Sequence, residues 1–103
     1  MEGWGVEIRS YRHKGLEALS GSREPRNVKG VPAEFTRKLH QRLTLIQAAA
    51  NIQQLATMPW RLHPLEPKAS CRWSLWVNGN YRLTFRLDPE TNSVSDVDLE
   101  DYH

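Results

Sequence analysis

The sequence predicts an α+β domain in which helices cover one face of a mainly antiparallel sheet. The first half contains a long stretch with apolar residues at three- and four-residue spacing, which is typical of an amphipathic helix. The second half contains three segments in which apolar and polar residues alternate, as in half-buried strands. The order strand, helix, helix and three strands is the α+β pattern.

The elements follow from local composition. Residues 6–11 alternate and predict a first strand, residues 14–19 predict a short helix, and residues 20–31 predict an exposed loop. Pro32 suits the first turn of the long helix. Its predicted apolar face comprises Phe35, Leu39, Leu43, Ile46 and Ala50, and its predicted polar side comprises Arg37, Lys38, Gln41 and Arg42. Residues 52–58 predict a last helical turn before Pro59.

Residues 72–87 predict a β-hairpin around residues 78–80. Opposed residues point to the same side of a sheet, so a core-facing match requires Val77 opposite Tyr81. This register predicts a three-residue loop with Asn80 in the left-handed conformation. A two-residue loop would place Arg82 opposite Leu75 and bury a charge.

The same register collects polar residues on the other face of the hairpin. That face carries Arg72, Ser74 and Trp76 opposite Arg86, Thr84 and Arg82. A solvated outer surface is the simpler interpretation of the arginines, but a large exposed indole often marks a contact surface. The pattern favours a surface that binds RNA, with a base stacked on Trp76.

Charge is distributed unevenly along the chain. Residues 1–87 contain all 14 Lys and Arg against six acids, and residues 88–103 contain six acids and no Lys or Arg. Residues 95–102 predict a last strand with Val97 and Leu99 inward and its acids outward. A basic body suits a polyanion, although solvation alone is the commoner reason for such charge. The acidic end is expected either to contact the basic body or to place catalytic acids.

Composition excludes several classes of protein. The length of 103 residues suits one domain, and the lone Cys71 excludes an intrachain disulfide. The sequence shows neither a membrane-spanning stretch nor a signal peptide, so we expect a cytoplasmic protein without a membrane partner. The His and Cys residues lack metal-ligand spacing, and there is no Gly-rich phosphate loop, so we expect no metal and no cofactor.

The remaining reactive groups are arginines, His63, and the ending Asp101, Tyr102 and His103. This set suits RNA cleavage by the RNA's own 2′-hydroxyl. A base takes the hydroxyl proton, cations stabilise the phosphorane, and an acid protonates the leaving 5′-oxygen. A single His before a hairpin and a terminal His more often have no catalytic role, so the residues alone leave the assignment open.

Three blocks in the same order resemble the HigB branch of the RelE-like toxins. They are residues 61–65 (RLHPL), the hairpin at 73–86 (WSLWVNGNYRLTFR) and the ending at 96–103 (DVDLEDYH). The similarity extends back through residues 11–16 and the Pro32 helix. It covers nearly the whole chain, which we interpret as one domain over residues 1–103 with residues 1–7 as an N-terminal extension.

The resemblance implies a RelE-like, microbial ribonuclease-like fold and a type II toxin that cleaves mRNA on the ribosome without a metal. It also implies a helix-turn-helix antitoxin of the HigA type, through which alone the toxin would contact operator DNA. The family's functional positions correspond to His63, Arg82, Asp101, Tyr102 and His103. With the hairpin face, the predicted RNA-binding residues are Lys68, Arg72, Trp76 and Arg86.

One departure from the family pattern concerns the phosphate. The family commonly has Lys-Gly after the His-Pro-Leu run, whereas this chain has Glu66-Pro67. We expect Lys68 or Arg72 to replace the missing cation; otherwise the protein is a weak nuclease.

Two other functions remain open from the sequence. ParE-like relatives poison DNA gyrase and lack the ribonuclease residues, so the ending Asp101-Tyr102-His103 argues against that activity. A degenerate toxin that acts only as a co-repressor with its antitoxin is the other alternative, which Glu66 keeps open. Mapping mRNA ends after induced expression separates these functions.

Overall fold

The computed structural model describes residues 5–66 and 71–101, which form a five-stranded sheet beside three helices. The strand order is β1-β5-β4-β3-β2. Strand β1 runs parallel to β5, and every other neighbouring pair is antiparallel. The strands are β1 (Glu7–Ile8), β2 (His63–Pro64), β3 (Arg72–Asn78), β4 (Tyr81–Asp88) and β5 (Ser93–Asp101). The predicted α+β class is confirmed.

The helices agree with the sequence pattern except at one end. They are α1 (Lys14–Ser20), a 3₁₀ turn (Ala33–Phe35) that continues into α2 (Thr36–Ala48), and α3 (Ile52–Leu55). Helix α2 ends because Ala49 adopts an extended conformation, with φ −64° and ψ 140°. The prediction that Ala50 joins the apolar face is therefore wrong, since Ala49 is buried and Ala50 is exposed.

One hydrophobic core lies between the helices and one face of the sheet. Fully buried helical residues pack against fully buried residues of β3, β4 and β5. The helices contribute Leu16, Leu19, Leu39, Leu43, Ile46 and Leu55, and the strands contribute Leu75, Val77, Leu83, Phe85, Val94 and Val97. We call the opposite face of the sheet, which carries Ser74, Thr84, Trp76 and Arg82, the polar face.

Arg42 departs from its predicted position on the outer side of α2. It is only 7% exposed, and its guanidinium carbon lies 4.6 Å from the centroid of the Trp60 ring. Burial lowers the pKa of Arg42 from its ordinary value. The apolar stem and the planar cation pack on the indole, so this arginine joins the edge of the core instead of solvating the helix.

The first strand is shorter than predicted. Only Glu7 and Ile8 pair with β5, and the chain meets β5 again where Tyr11 bridges to Val97. Between these contacts the backbone N–H of Asp96 donates to Ser10 Oγ at 2.8 Å. Val6 is buried, so the described end of the predicted extension packs against the sheet.

The hairpin keeps the predicted register along its strands, but the predicted pair of Val77 with Tyr81 and the predicted three-residue loop are wrong. Trp76 lies opposite Arg82, in agreement with the prediction, but Asn78 pairs with Tyr81 across a two-residue turn. Gly79 rather than Asn80 has a positive φ, of 54°. A bulge at Val77 absorbs one residue, so a tight turn and the core-facing alternation coexist.

Candidate active site on the polar face

The polar face carries rows of side chains that run across the strands. One row passes from His63 through Ser74 and Thr84 to Asp98, with one residue on each of β2, β3, β4 and β5. The next row contains Trp76, Arg82 and Glu100. Directly opposed residues share a face, so the basic hairpin and the acidic last strand meet on one surface. The acidic last strand therefore lies beside the basic hairpin. This agrees with the expectation that the acidic end contacts the basic body.

A small pocket opens between β2 and the hairpin. Its volume is about 80 Å³, and its lining residues are Arg61, His63, Ser74, Trp76 and Arg82. Three residues predicted from the sequence thus come together here. Ser74 was predicted on this face but not as a site residue, and Arg61 was not predicted. Arg61 has a positive φ of 56°, so the alternation of an extended segment around His63 could not have placed it here.

The His63 ring is held by two hydrogen bonds. Its Nδ1 lies 3.2 Å from the carbonyl oxygen of Pro64, and its Nε2 lies 3.2 Å from Ser74 Oγ. A carbonyl oxygen only accepts, so we assign the proton to Nδ1 and let the Ser74 hydroxyl donate to Nε2. Ser74 is 1% exposed, and a buried hydroxyl needs such a partner. The single lone pair of the exposed imidazole, on Nε2, therefore faces the pocket-lining Ser74 hydroxyl and accepts from it.

Trp76 is fixed beside two cations. Its Nε1 donates to the carbonyl oxygen of Gly79 at 3.2 Å. The Arg61 guanidinium carbon lies 5.9 Å from the ring centroid, and Lys38 Nζ lies 5.8 Å from it. Both distances are within the range of cation–π attraction. An indole held in this way can stack a nucleobase while the neighbouring cations attract the phosphates.

Comparison with known proteins places the chain in a family. Residues 9–103 match the family model of the RelE-like toxin of type II toxin-antitoxin system HigB. The chain belongs to the HigB-like toxins. It is also 34% identical over 96 residues to the Endoribonuclease HigB of Proteus vulgaris, an alignment that covers 93% of this chain and 99% of that relative.

A buried hydrogen-bond chain supports the polar face of this HigB-like toxin. Arg72 Nη2 donates to Thr84 Oγ1 at 2.9 Å and to the carbonyl oxygen of Asp96 at 3.3 Å. The Thr84 hydroxyl in turn donates to Glu100 Oε2 at 2.6 Å. The Arg72 guanidinium is thus directed toward β5. The sequence analysis did not predict that Thr84 and Glu100 are hydrogen-bonded to each other. The alternation along their strands did place both residues on the polar side of the sheet.

The remaining predicted site residues lie elsewhere. Arg86 is exposed and pairs with Arg72 at the open end of the hairpin, and it does not line the pocket. Asp101 pairs with Tyr81 at the end of β5 and does not line the pocket among the described residues. Lys68, Tyr102 and His103 fall outside residues 5–66 and 71–101.

Two further observations concern metal ions and membranes. Within the described ranges, no three His, Cys, Asp or Glu residues lie close enough to hold a metal ion. No helix in that part of the chain is long and apolar enough to cross a membrane.

Proposed function

We propose that this toxin cleaves mRNA on the ribosome and that the pocket beside His63 is its cutting site. Membership of the HigB-like family supports endoribonuclease activity, and so does the similarity to the Endoribonuclease HigB of Proteus vulgaris. The observation that carries the site assignment is the pocket in which His63 and Arg82 lie beside Trp76.

The proposed reaction needs no group outside the RNA and the protein. The Ser74 hydroxyl gives up its hydrogen bond to His63 Nε2, which then takes the proton from the 2′-hydroxyl. The 2′-oxygen attacks the adjacent phosphorus, and the bond to the 5′-oxygen breaks. Arg82 and Arg61 stabilise the charge that develops on the phosphorane. The leaving 5′-oxygen receives its proton from the segment 101–103, to which the family resemblance gives Asp101, Tyr102 and His103.

RNA binding is proposed for the surface around this pocket. Trp76 stacks a base, and Arg86 attracts the backbone. Lys68 or Arg72 supplies the phosphate contact that Glu66 does not provide. Arg72 already donates to Thr84 and Asp96, so its contribution is a fixed positive field rather than a mobile clamp.

The family implies an antitoxin partner. We propose that this partner is a helix-turn-helix protein of the HigA type that acts in the cytoplasm and carries the toxin to operator DNA. We expect a short reading frame for such a protein next to the toxin gene, and sequencing of the flanking DNA tests this.

The test uses purified protein and ribosomes programmed with a defined mRNA. We expect cuts within the translated frame, detected by mapping transcript ends. We also expect cutting to continue in excess chelator. A matched control with supplied magnesium shows how much cutting intact ribosomes support. Deletion of His103 is expected to reduce cutting strongly while thermal melting stays near that of the intact chain. Equal cutting by the deletion variant removes residues 101–103 from the mechanism.

The two alternative functions give different results in the same experiment. A gyrase poison leaves the mRNA intact and produces DNA damage in cells. A co-repressor leaves both intact and changes only operator binding by the antitoxin. Either result contradicts the proposed ribonuclease activity.

A further inference from the structure

A second concave surface lies at the other side of the sheet, beyond β5. We call it the basic groove; its volume is about 460 Å³. Its charged and titratable lining consists of Arg12, His13, Lys14, Lys29 and Asp98. It is separate from the pocket at His63, with which it shares no lining residue.

The basic groove is built by a close approach of two chain segments. A Cβ atom on Gly15 would lie 2.3 Å from the carbonyl oxygen of Lys29, so only glycine allows this contact. His13 joins the same segments, because its Nδ1 accepts from the Leu16 N–H at 3.2 Å and its Nε2 donates to the Gly30 carbonyl at 3.1 Å. The backbone of Lys29 is therefore fixed beside the start of α1.

The charge of the basic groove is strongly positive. Arg12, Lys14 and Lys29 are exposed, and the single acid in the lining is Asp98. Within residues 5–66 and 71–101, none of the three cations forms an ion pair or a side-chain hydrogen bond. Three cations that line one shallow concavity attract a polyanion more strongly than the same charges scattered over a surface.

One cross-strand row of residues links the basic groove to the candidate active site. Asp98 lines the groove and also ends the row that begins at His63. Three strand spacings of about 4.8 Å separate the ends of that row, or roughly 14 Å. A single RNA strand of a few nucleotides spans such a distance.

We propose that the basic groove binds backbone phosphates of RNA and so extends the candidate active site across the sheet. This inference rests on the proposed function, because action on the ribosome is what would bring RNA to the groove. The phosphates belong either to the mRNA that is cut or to the ribosomal RNA around it, and both present the same chemistry to Arg12, Lys14 and Lys29.

The experiment compares two double variants that each lose two positive charges. K14Q/K29Q alters the basic groove, and R23Q/R26Q alters the exposed loop that precedes it, outside the groove lining. Each protein is titrated with a short labelled single-stranded RNA over a range of salt concentrations. The slope of log affinity against log salt is negative, and loss of two phosphate contacts is expected to make it less steep by about 1.4 for K14Q/K29Q. R23Q/R26Q is expected to keep the slope of the unmodified protein.

Sedimentation with empty ribosomes separates the two sources of RNA. Weaker ribosome binding by K14Q/K29Q with unchanged binding of free RNA assigns the groove to ribosomal RNA, and weaker binding of free RNA assigns it to mRNA. The proposal is overturned if both double variants behave alike in the free-RNA titration and in ribosome sedimentation, or if K14Q/K29Q weakens only antitoxin binding. Thermal melting is measured alongside, and R12Q gives a second test of the groove should K14Q/K29Q fail to fold.

Cleavage by the unmodified protein keeps this proposal distinguishable from the proposed function. If that protein does not cut mRNA but K14Q/K29Q still loses RNA affinity, the groove is supported and the ribonuclease activity is not. If the unmodified protein cuts and K14Q/K29Q binds and cuts equally well, the groove assignment is wrong.

Discussion

The two faces of the β3–β4 hairpin are equally buried at their centres and are held by different forces. Leu83 and Phe85 on one face are 0% exposed and pack in the hydrophobic core. Thr84 and Ser74 on the other face are 0% and 1% exposed, but hydrogen bonds to Arg72, Glu100 and His63 occupy their hydroxyls. Burial therefore does not distinguish the faces. The apolar face depends on volume, and the polar face depends on the hydrogen bonds of its buried hydroxyls.

The largest effect is expected from removing volume on the apolar face. Phe85→Ala deletes a fully buried ring, and we expect the free energy of unfolding to fall by about 3–5 kcal/mol. Denaturant unfolding measures the loss. The matched control is Arg86→Ala, the exposed neighbour, which is expected to change stability by about 0.5 kcal/mol or less. Equal losses in both variants would mean that the ring does not fill the core.

Removing charge from the polar face is expected to act on rate and not on stability. Arg82→Ala takes away a phosphate cation without opening an apolar cavity, so cleavage on programmed ribosomes is expected to fall by about 3–4 kcal/mol in transition-state stabilisation, or hundreds-fold. Single-turnover cleavage and thermal melting are measured together. A large drop in melting temperature instead of rate would make Arg82 a structural residue.

The contrast between faces also decides what the sequence was able to predict. Alternation predicted the apolar faces and the pairs Arg72–Arg86 and Trp76–Arg82, because burying one face of a strand fixes its register. The turn was mispredicted because the bulge at Val77 depends on tertiary packing that periodicity does not carry.

The candidate site divides in the same way. The motif and the hairpin register predicted three of the pocket residues, His63, Trp76 and Arg82. Arg61 was not predictable, because it adopts a positive φ of 56° that no local sequence signal indicates. The link from Thr84 to Glu100 crosses to the last strand, where a second irregularity between Thr84 and Arg86 sets the register. Burial of Arg42 on Trp60 was missed because charge alone suggested an outer face.

A smaller effect is expected from breaking the hydrogen bonds of the polar face without changing its volume. Thr84→Val keeps the shape of the side chain but deprives Arg72 and Glu100 of their shared hydroxyl. We expect a loss of about 1–3 kcal/mol, since buried polar partners are left unsatisfied. Thr84→Ser retains the hydroxyl and is expected to recover most of that stability. If Thr84→Val is as stable as the unmodified protein, the polar face does not depend on its hydrogen bonds.

The smallest effect concerns a polar group on the core side of the sheet. The Tyr11 hydroxyl donates to Ser20 Oγ at 2.6 Å, and the ring packs against the core. Burial raises the pKa of Tyr11, the Ser20 hydrogen bond lowers it, and the nearby Glu17 raises it, with a net increase above the ordinary value. The folded state therefore favours the neutral phenol, and this contribution is complete below about pH 10 and is lost as the pH rises through the folded pKa.

Tyr11→Phe separates this contribution from ordinary packing. At neutral pH the variant is expected to lose about 0.5–1.5 kcal/mol with the Ser20 hydrogen bond. As the pH rises above about 10, the unmodified protein is expected to lose stability that the variant does not, so the gap between them narrows. Denaturant unfolding at about pH 8 and about pH 11 measures the gap, with Tyr81→Phe as the matched tyrosine control. A gap that stays constant would show that the core side of the sheet tolerates the phenolate, and the contrast between the two faces would then be one of volume alone.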